Sequence, residues 1–177
     1  MKIIISGAYT IGSYLARLLS RNKQDIVLMD ECSENLEKIS NEADLLTMEG
    51  STTSIKNLKE AGAEDADLFI AVTPDESKNI AACVLAHQLG TKKTVARVDN
   101  PEYVEPSNQE LFHQMGVSSI IYPELLAAKD IINGLKMSWV RQRWDVHDGA
   151  LVMLGIKLRE SCEILDRPLK EISGPND

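Results

Sequence analysis

The sequence predicts an α/β chain: a doubly wound, mostly parallel sheet followed by the start of a small α+β domain. Three observations carry that reading. Between Ile3 and Tyr122, short apolar runs alternate with stretches of helical spacing. The runs are nearly continuous in apolar character rather than alternating, as in strands whose two faces are both covered by helices. Regular strand–helix alternation with right-handed crossovers then winds the chain into one sheet.

The elements follow in order. Ile3–Ser6 reads as the first strand, and Ile11, Leu15, Leu18 and Leu19 fall at helical spacing after it. Asp25–Asp30 is the second strand, followed by a short helix carrying Leu36 and Ile39. Leu45–Glu49 is the third, with Ile55, Leu58 and Ala61 on its helix. Leu68–Thr73 is the fourth, and a helix from Pro74 to Leu89 ends at Gly90. Thr94–Val98 is the fifth, followed by a helix over Asn108–Met115 that Gly116 closes. Ser119–Tyr122 is the sixth, stopped by Pro123.

From Glu124 the pattern changes. Leu125, Ala128, Ile132, Leu135 and Trp139 step by 3, 4, 3 and 4, a seam of period 3.5 that Leu126 and Ile131 widen. Such a helix either lies on its own sheet or is presented to another subunit. The polar stretch Arg141–Asp148 reads as a linker, and Ala150–Leu158 as one apolar strand. The scattered Ile164, Leu165, Leu169 and Ile172 cannot close a core alone. The expectation is a domain over 1–140 and, over 141–177, a linker and the beginning of a second domain.

Composition bounds the function. With 177 residues and 44% hydrophobic content there is room for one good core and a smaller second piece. Lys and Arg number 19 against 27 Asp and Glu, a net charge of -8, which argues against a general nucleic-acid binder. No apolar run approaches the roughly 20 residues of a membrane span. Met1–Ile5 is too short for a signal peptide. Cys32, Cys83 and Cys162 form an odd count without CxxC, as in a reducing cytosol. His87, His113 and His147 lack ligand spacing, so no metal site is expected.

In a doubly wound sheet, ligands sit beyond the carboxyl ends of the strands, where the strand order switches. The turn Gly7-Ala8-Tyr9-Thr10-Ile11-Gly12 lies there, directly after strand one and opening a helix. Gly7 allows the tight turn and Gly12 close helix–strand packing, so helix N–H groups would face a pyrophosphate. Tyr9 occupies the position that G-x-G-x-x-G leaves bare. Asp30 ends strand two, 18 residues after Gly12. Its carboxylate can accept both ribose hydroxyls or cap the next helix, and no Arg follows to welcome a 2′-phosphate. The turn Gly50-Ser51-Thr52-Thr53 can contact adenosine or merely cap a helix. Thr73-Pro74-Asp75-Glu76 reads as a capping box with Pro at the first helical position, and this helix start also faces the same crevice, which leaves a ligand-facing role open. Arg97, in an apolar strand, needs an anion: a ligand phosphate, Asp99 or Glu102.

Catalytic signatures are missing. No Tyr-x-x-x-Lys pair, G-x-S-x-G, Walker-type loop or HExxH occurs. The residues are suited to binding rather than reaction, which leaves a regulatory domain, an NAD-dependent oxidoreductase fragment or an assembly domain with a non-binding crevice.

The combined string resembles the regulator-of-potassium-conductance (RCK, or KTN) domain family of TrkA type. The resemblance rests on Lys2–Gly12, Ile26–Asp30, Met48–Thr52, Ala71–Asn79, Ala96–Tyr103 and Gly116–Glu124. It implies a non-enzymatic, cytoplasmic gating subunit held at the inner face of the plasma membrane by a Trk/Ktr-type potassium transporter. It further implies NAD(H), or alternatively ATP/ADP, in a Rossmann-like crevice, and a homo-dimer or higher ring. By the same resemblance Gly7, Ala8, Tyr9, Thr10, Ile11 and Gly12 hold phosphates and Asp30 the ribose. Ser51 and Thr52 lie near adenosine, Thr73 and Pro74 line the crevice, and Arg97 pairs with phosphate. Tyr9 stands where the family usually has glycine, and Ser51 where aspartate is common.

Overall fold

The structure, a computed structural model, describes residues 1–40, 44–136, 140–146, 150–158, 162, 165, 167 and 168. It divides into two compact units, Met1–Leu126 and Ala127–Asp177. The first unit is built from β1 (Lys2–Ser6), α1 (Thr10–Ser20), β2 (Asp25–Asp30), α2 (Ser33–Ser40), β3 (Leu46–Glu49) and α3 (Ile55–Glu60). It continues with β4 (Leu68–Ala71), α4 (Glu76–Leu89), β5 (Lys93–Arg97), α5 (Pro106–Gln114) and β6 (Ser119–Ile121), and α6 (Pro123–Lys136) starts at its end.

The strand order is β3-β2-β1-β4-β5-β6 with every pairing parallel, the doubly wound fold the sequence predicts. Because a strand's side chains alternate between faces, the two cores are interleaved along each strand. Ile4, Val27, Met29, Phe69 and Ala71 face one side, against Leu58, Ala82, Cys83, Ala86 and Phe112 of α3, α4 and α5. Ile3, Ile5, Ile26, Leu28 and Ile70 face the other, against Ala16, Leu36 and Ile39 of α1 and α2. A fully buried side chain of this size contributes about 1.5–3 kcal/mol relative to exposure. Burial likewise pushes the Cys83 thiol up to about 12, leaving it as a small core hydrophobe.

The second unit holds the hairpin of β7 (Val140–Val146) and β8 (Leu151–Ile156), paired antiparallel. β7 corrects the reading of residues 141–146 as linker: the charges on Arg141, Arg143 and Asp145 mask an alternation with Gln142, Trp144 and Val146. The division between the units falls inside α6, whose apolar side chains with a described surface, from Leu125 to Leu135, are all exposed. Trp139, His147, Asp148, Ile164, Leu169 and Ile172 lie outside the described residues.

Candidate functional site

β1 delivers the chain into the glycine turn. Gly7 has φ +102°, and a Cβ there would lie 2.9 Å from the Thr73 backbone nitrogen. Both the left-handed backbone and the close approach of the β4 end therefore require glycine. A Cβ on Gly12 would collide with the Gly7 carbonyl oxygen and press on Val72, so this glycine sets the contact between α1 and the sheet. Helix α1 begins with no side-chain cap at Tyr9 and no acid in its first turn. The first-turn N–H groups of Thr10, Ile11 and Gly12 thus lack an intrahelical partner at the positive end of the helix. Tyr9, where G-x-G-x-x-G has glycine, lines the crevice and is 51% exposed.

Asp30 is buried at the end of β2 and already engaged. One carboxylate oxygen accepts the Ala8 N–H at 2.6 Å; the other accepts the Cys32 N–H at 2.8 Å and the Asn35 amide at 3.4 Å. It fixes the glycine turn and the entry to α2 together. A carboxylate offers about four lone-pair sites, so acceptor capacity remains for a ribose hydroxyl. Of Ser51 and Thr52, only Thr52 lines the crevice, and α3 is capped instead by Ser54. Thr52 is 2% exposed, and its hydroxyl has no hydrogen-bond partner in the protein. Buried hydroxyls are nearly always satisfied, so this one marks a place for an incoming polar group.

The capping box at the fourth strand does not form. Asp75, not Thr73, caps α4 by accepting the Lys78 N–H, and the helix starts at Glu76 rather than Pro74. Glu76 instead accepts the N–H groups of Asp99 and Asn100, both at 2.9 Å, after β5. The reason is Asn79, buried and fully used. Its oxygen accepts the Thr73 N–H and hydroxyl at 2.9 and 2.7 Å, and its amide donates to the Thr73 and Arg97 carbonyls at 2.9 Å each. That network ties the ends of β4 and β5 and leaves Thr73 no freedom to cap. Arg97 pairs with Asp99 at 2.6 Å, donates to the Thr73 carbonyl at 3.3 Å and does not line the crevice; Glu102 is not its partner.

Gly7, Tyr9, Asp30, Thr52, Thr73 and Pro74 thus line one open crevice of about 360 Å³. Asp75, from the helix start that the sequence also turns toward this crevice, joins the lining, whereas Glu31, Cys32 and Lys78 were not foreseen there. Lys78 meets Glu31 at 2.6 Å, and the hydrogen bond from its ammonium, helped by the Ser51 hydroxyl, holds the Glu31 carboxyl below its ordinary range. No motif announces this pair; only the sheet brings residue 31 beside residue 78. Among the described residues no group of three His, Cys, Asp or Glu converges on a metal position. None of their helices is long and apolar enough to cross a membrane.

The TrkA-N domain family matches residues 3–123. A Trk system potassium uptake protein TrkA homolog of Archaeoglobus fulgidus is 35% identical over 178 residues, covering 100% of this chain and 40% of that protein. One from Pyrococcus abyssi is 30% identical over 183 residues, covering 100% of this chain and 78% of its own length. Among solved structures, the TrkA-N domain of the inner membrane protein ybaL from Escherichia coli superposes with a TM-score of 0.67 at 15% identity, covering 76% of this chain and 96% of that one. The GsuK channel bound to NAD gives 0.58 at 20% identity, over 68% of this chain and 21% of the channel. The Kef CTD of Shewanella denitrificans in AMP-bound form gives 0.59 at 22% identity, over 78% and 82%. The matched family model covers most of the first unit and the Pyrococcus relative spans the whole chain, so the chain belongs to the TrkA-N family as a TrkA-type RCK domain.

Proposed function

We propose that the chain is a non-enzymatic, nucleotide-sensing regulatory part of a Trk/Ktr-type potassium uptake system, working on the cytoplasmic side of the plasma membrane. The observation that carries this is the unpartnered Thr52 hydroxyl in a crevice at the strand-order switch, beside the uncapped start of α1. The donor set fits a nucleotide: N–H groups at a helix start for phosphate, Asp30 and Thr52 for a nucleoside. NAD(H) is the first candidate and ATP or ADP the second. The NAD-bound GsuK channel and the AMP-bound Kef CTD, related in fold, support this class of ligand. The relatives' names support the potassium uptake system.

Regulation then follows from assembly. Helix α6 exposes Leu125, Leu126, Ile131, Ile132 and Leu135, the last by 76%, and a second copy of the chain is its proposed partner in a dimer or larger ring. A nucleotide bridging the starts of α1 and α4 shifts the assembly between two arrangements only as far as it binds one better. Small-angle scattering of the assembled protein tests this. Saturating NADH and ATP are expected to give different scattering profiles; identical profiles for NADH, ATP and ligand-free protein reject the sensing role.

A further inference from the structure

We infer that Glu31 and Lys78 form a clasp across the mouth of the crevice, and that an incoming nucleotide opens it by taking the Lys78 ammonium onto a phosphate. The inference rests on the nucleotide reading above and adds two binding determinants to it. Lys78 sits in the first turn of α4, on the β4 side of the switch; Glu31 follows Asp30 at the end of β2. Their side chains meet at 2.6 Å, and both line the crevice with Gly7, Asp30 and Thr52. The ion pair therefore spans the opening that a ribose-phosphate must enter. Both partners remain partly in water, the lysine 26% and the glutamate 49% exposed, so exchange of one anion for another is cheap.

The exchange has a direction. A lysine is a mobile point charge on a flexible stem, able to leave a carboxylate for a phosphate without rebuilding the backbone. A pyrophosphate carries more total charge and more acceptor oxygens than the carboxylate it displaces. Glu31, once released, stays beside Asp30, where a ribose 2′ position falls in this fold. Two adjacent carboxylates there repel a 2′-phosphate, so the same residue that latches the empty crevice also selects NAD over NADP. Thr52 supplies the independent mark of a ligand, because its buried hydroxyl has no partner within the protein.

Calorimetric titration of the whole chain with adenosine, ADP, NAD and NADP tests the clasp, comparing the natural protein with Glu31→Gln and Lys78→Gln. Lys78→Gln is expected to weaken ADP about tenfold and leave adenosine unchanged, a difference that a merely structural role would not produce. Glu31→Gln is expected to tighten ADP several-fold and to shrink the preference for NAD over NADP about tenfold. If the natural protein binds ADP and Lys78→Gln binds it equally well, or loses adenosine in the same proportion, the clasp is wrong and nucleotide sensing stands. If Glu31→Gln alone binds, the clasp is supported as a lock. If neither the natural protein nor Glu31→Gln binds any of the four while both remain folded by thermal melting, the clasp and the nucleotide reading fall together.

Discussion

Asn79 shows how much one side chain can hold at this site. It makes four hydrogen bonds to Thr73 and Arg97 from a fully buried position. Truncation strands buried backbone groups, each worth about 1–3 kcal/mol. Asn79→Ala is therefore expected to destabilise the protein by about 3 kcal/mol in denaturant unfolding, whereas Asp75→Ala, the loss of an exposed cap, costs about 1 kcal/mol. Equal costs would contradict the assignment of the network to Asn79. No spacing rule marks this asparagine, because three of its four bonds go to backbone groups that only the folded sheet brings together. Gly7 and Gly12 were legible, since their need for glycine is local geometry around one turn. Asp30 was legible as the carboxylate that ends the second strand in the crevice, but not as the anchor of the Ala8 and Cys32 N–H groups. At the mouth, the lowered carboxyl of Glu31 means the clasp is intact above the ordinary value of 4.5 and weakens as pH falls below it.

The inner strands β1, β2 and β4, built from continuous apolar runs, are found close to where the sequence puts them, because burial on both faces leaves one way to read them. The misreadings lie where polar residues carry structure. β7 was hidden by its charged face, and the start of α4 moved two residues because a network inside the fold outcompeted a local capping box. α6 raises the opposite question, with five large apolar side chains exposed along one helix. Covering that face is the role assigned to a second copy. Ile132→Asp is expected to convert the assembly to monomer in analytical ultracentrifugation, with nucleotide affinity changed less than twofold. A variant that still assembles would place the interface elsewhere.

At the scale of the whole molecule, function follows from topology. The order β3-β2-β1-β4-β5-β6 leaves a gap between the helix starts after β1 and β4, and the crevice lies over that gap. This much was legible because strand–helix alternation and right-handed crossovers permit few alternatives. The lining from α4 was not, since it depends on which residues the sheet brings across the gap. A net charge of -8 makes the site a local one, built from oriented N–H groups and one lysine rather than from a basic surface.

In the proposed reading the crevice binds a nucleotide and the Thr52 hydroxyl is there to meet it. Removing an unsatisfied buried hydroxyl relieves its desolvation cost, so Thr52→Val is expected to stabilise the ligand-free protein by about 1 kcal/mol. The decisive measurement is calorimetric titration of the natural chain and Thr52→Val with NAD, NADH, ATP, ADP and AMP. Saturable binding of at least one nucleotide, weakened about tenfold in the more stable variant, is the expected result. No binding of any of the five to folded protein would rule out a nucleotide site in this crevice, and affinities indifferent to Thr52 would rule out its hydroxyl as a ligand contact.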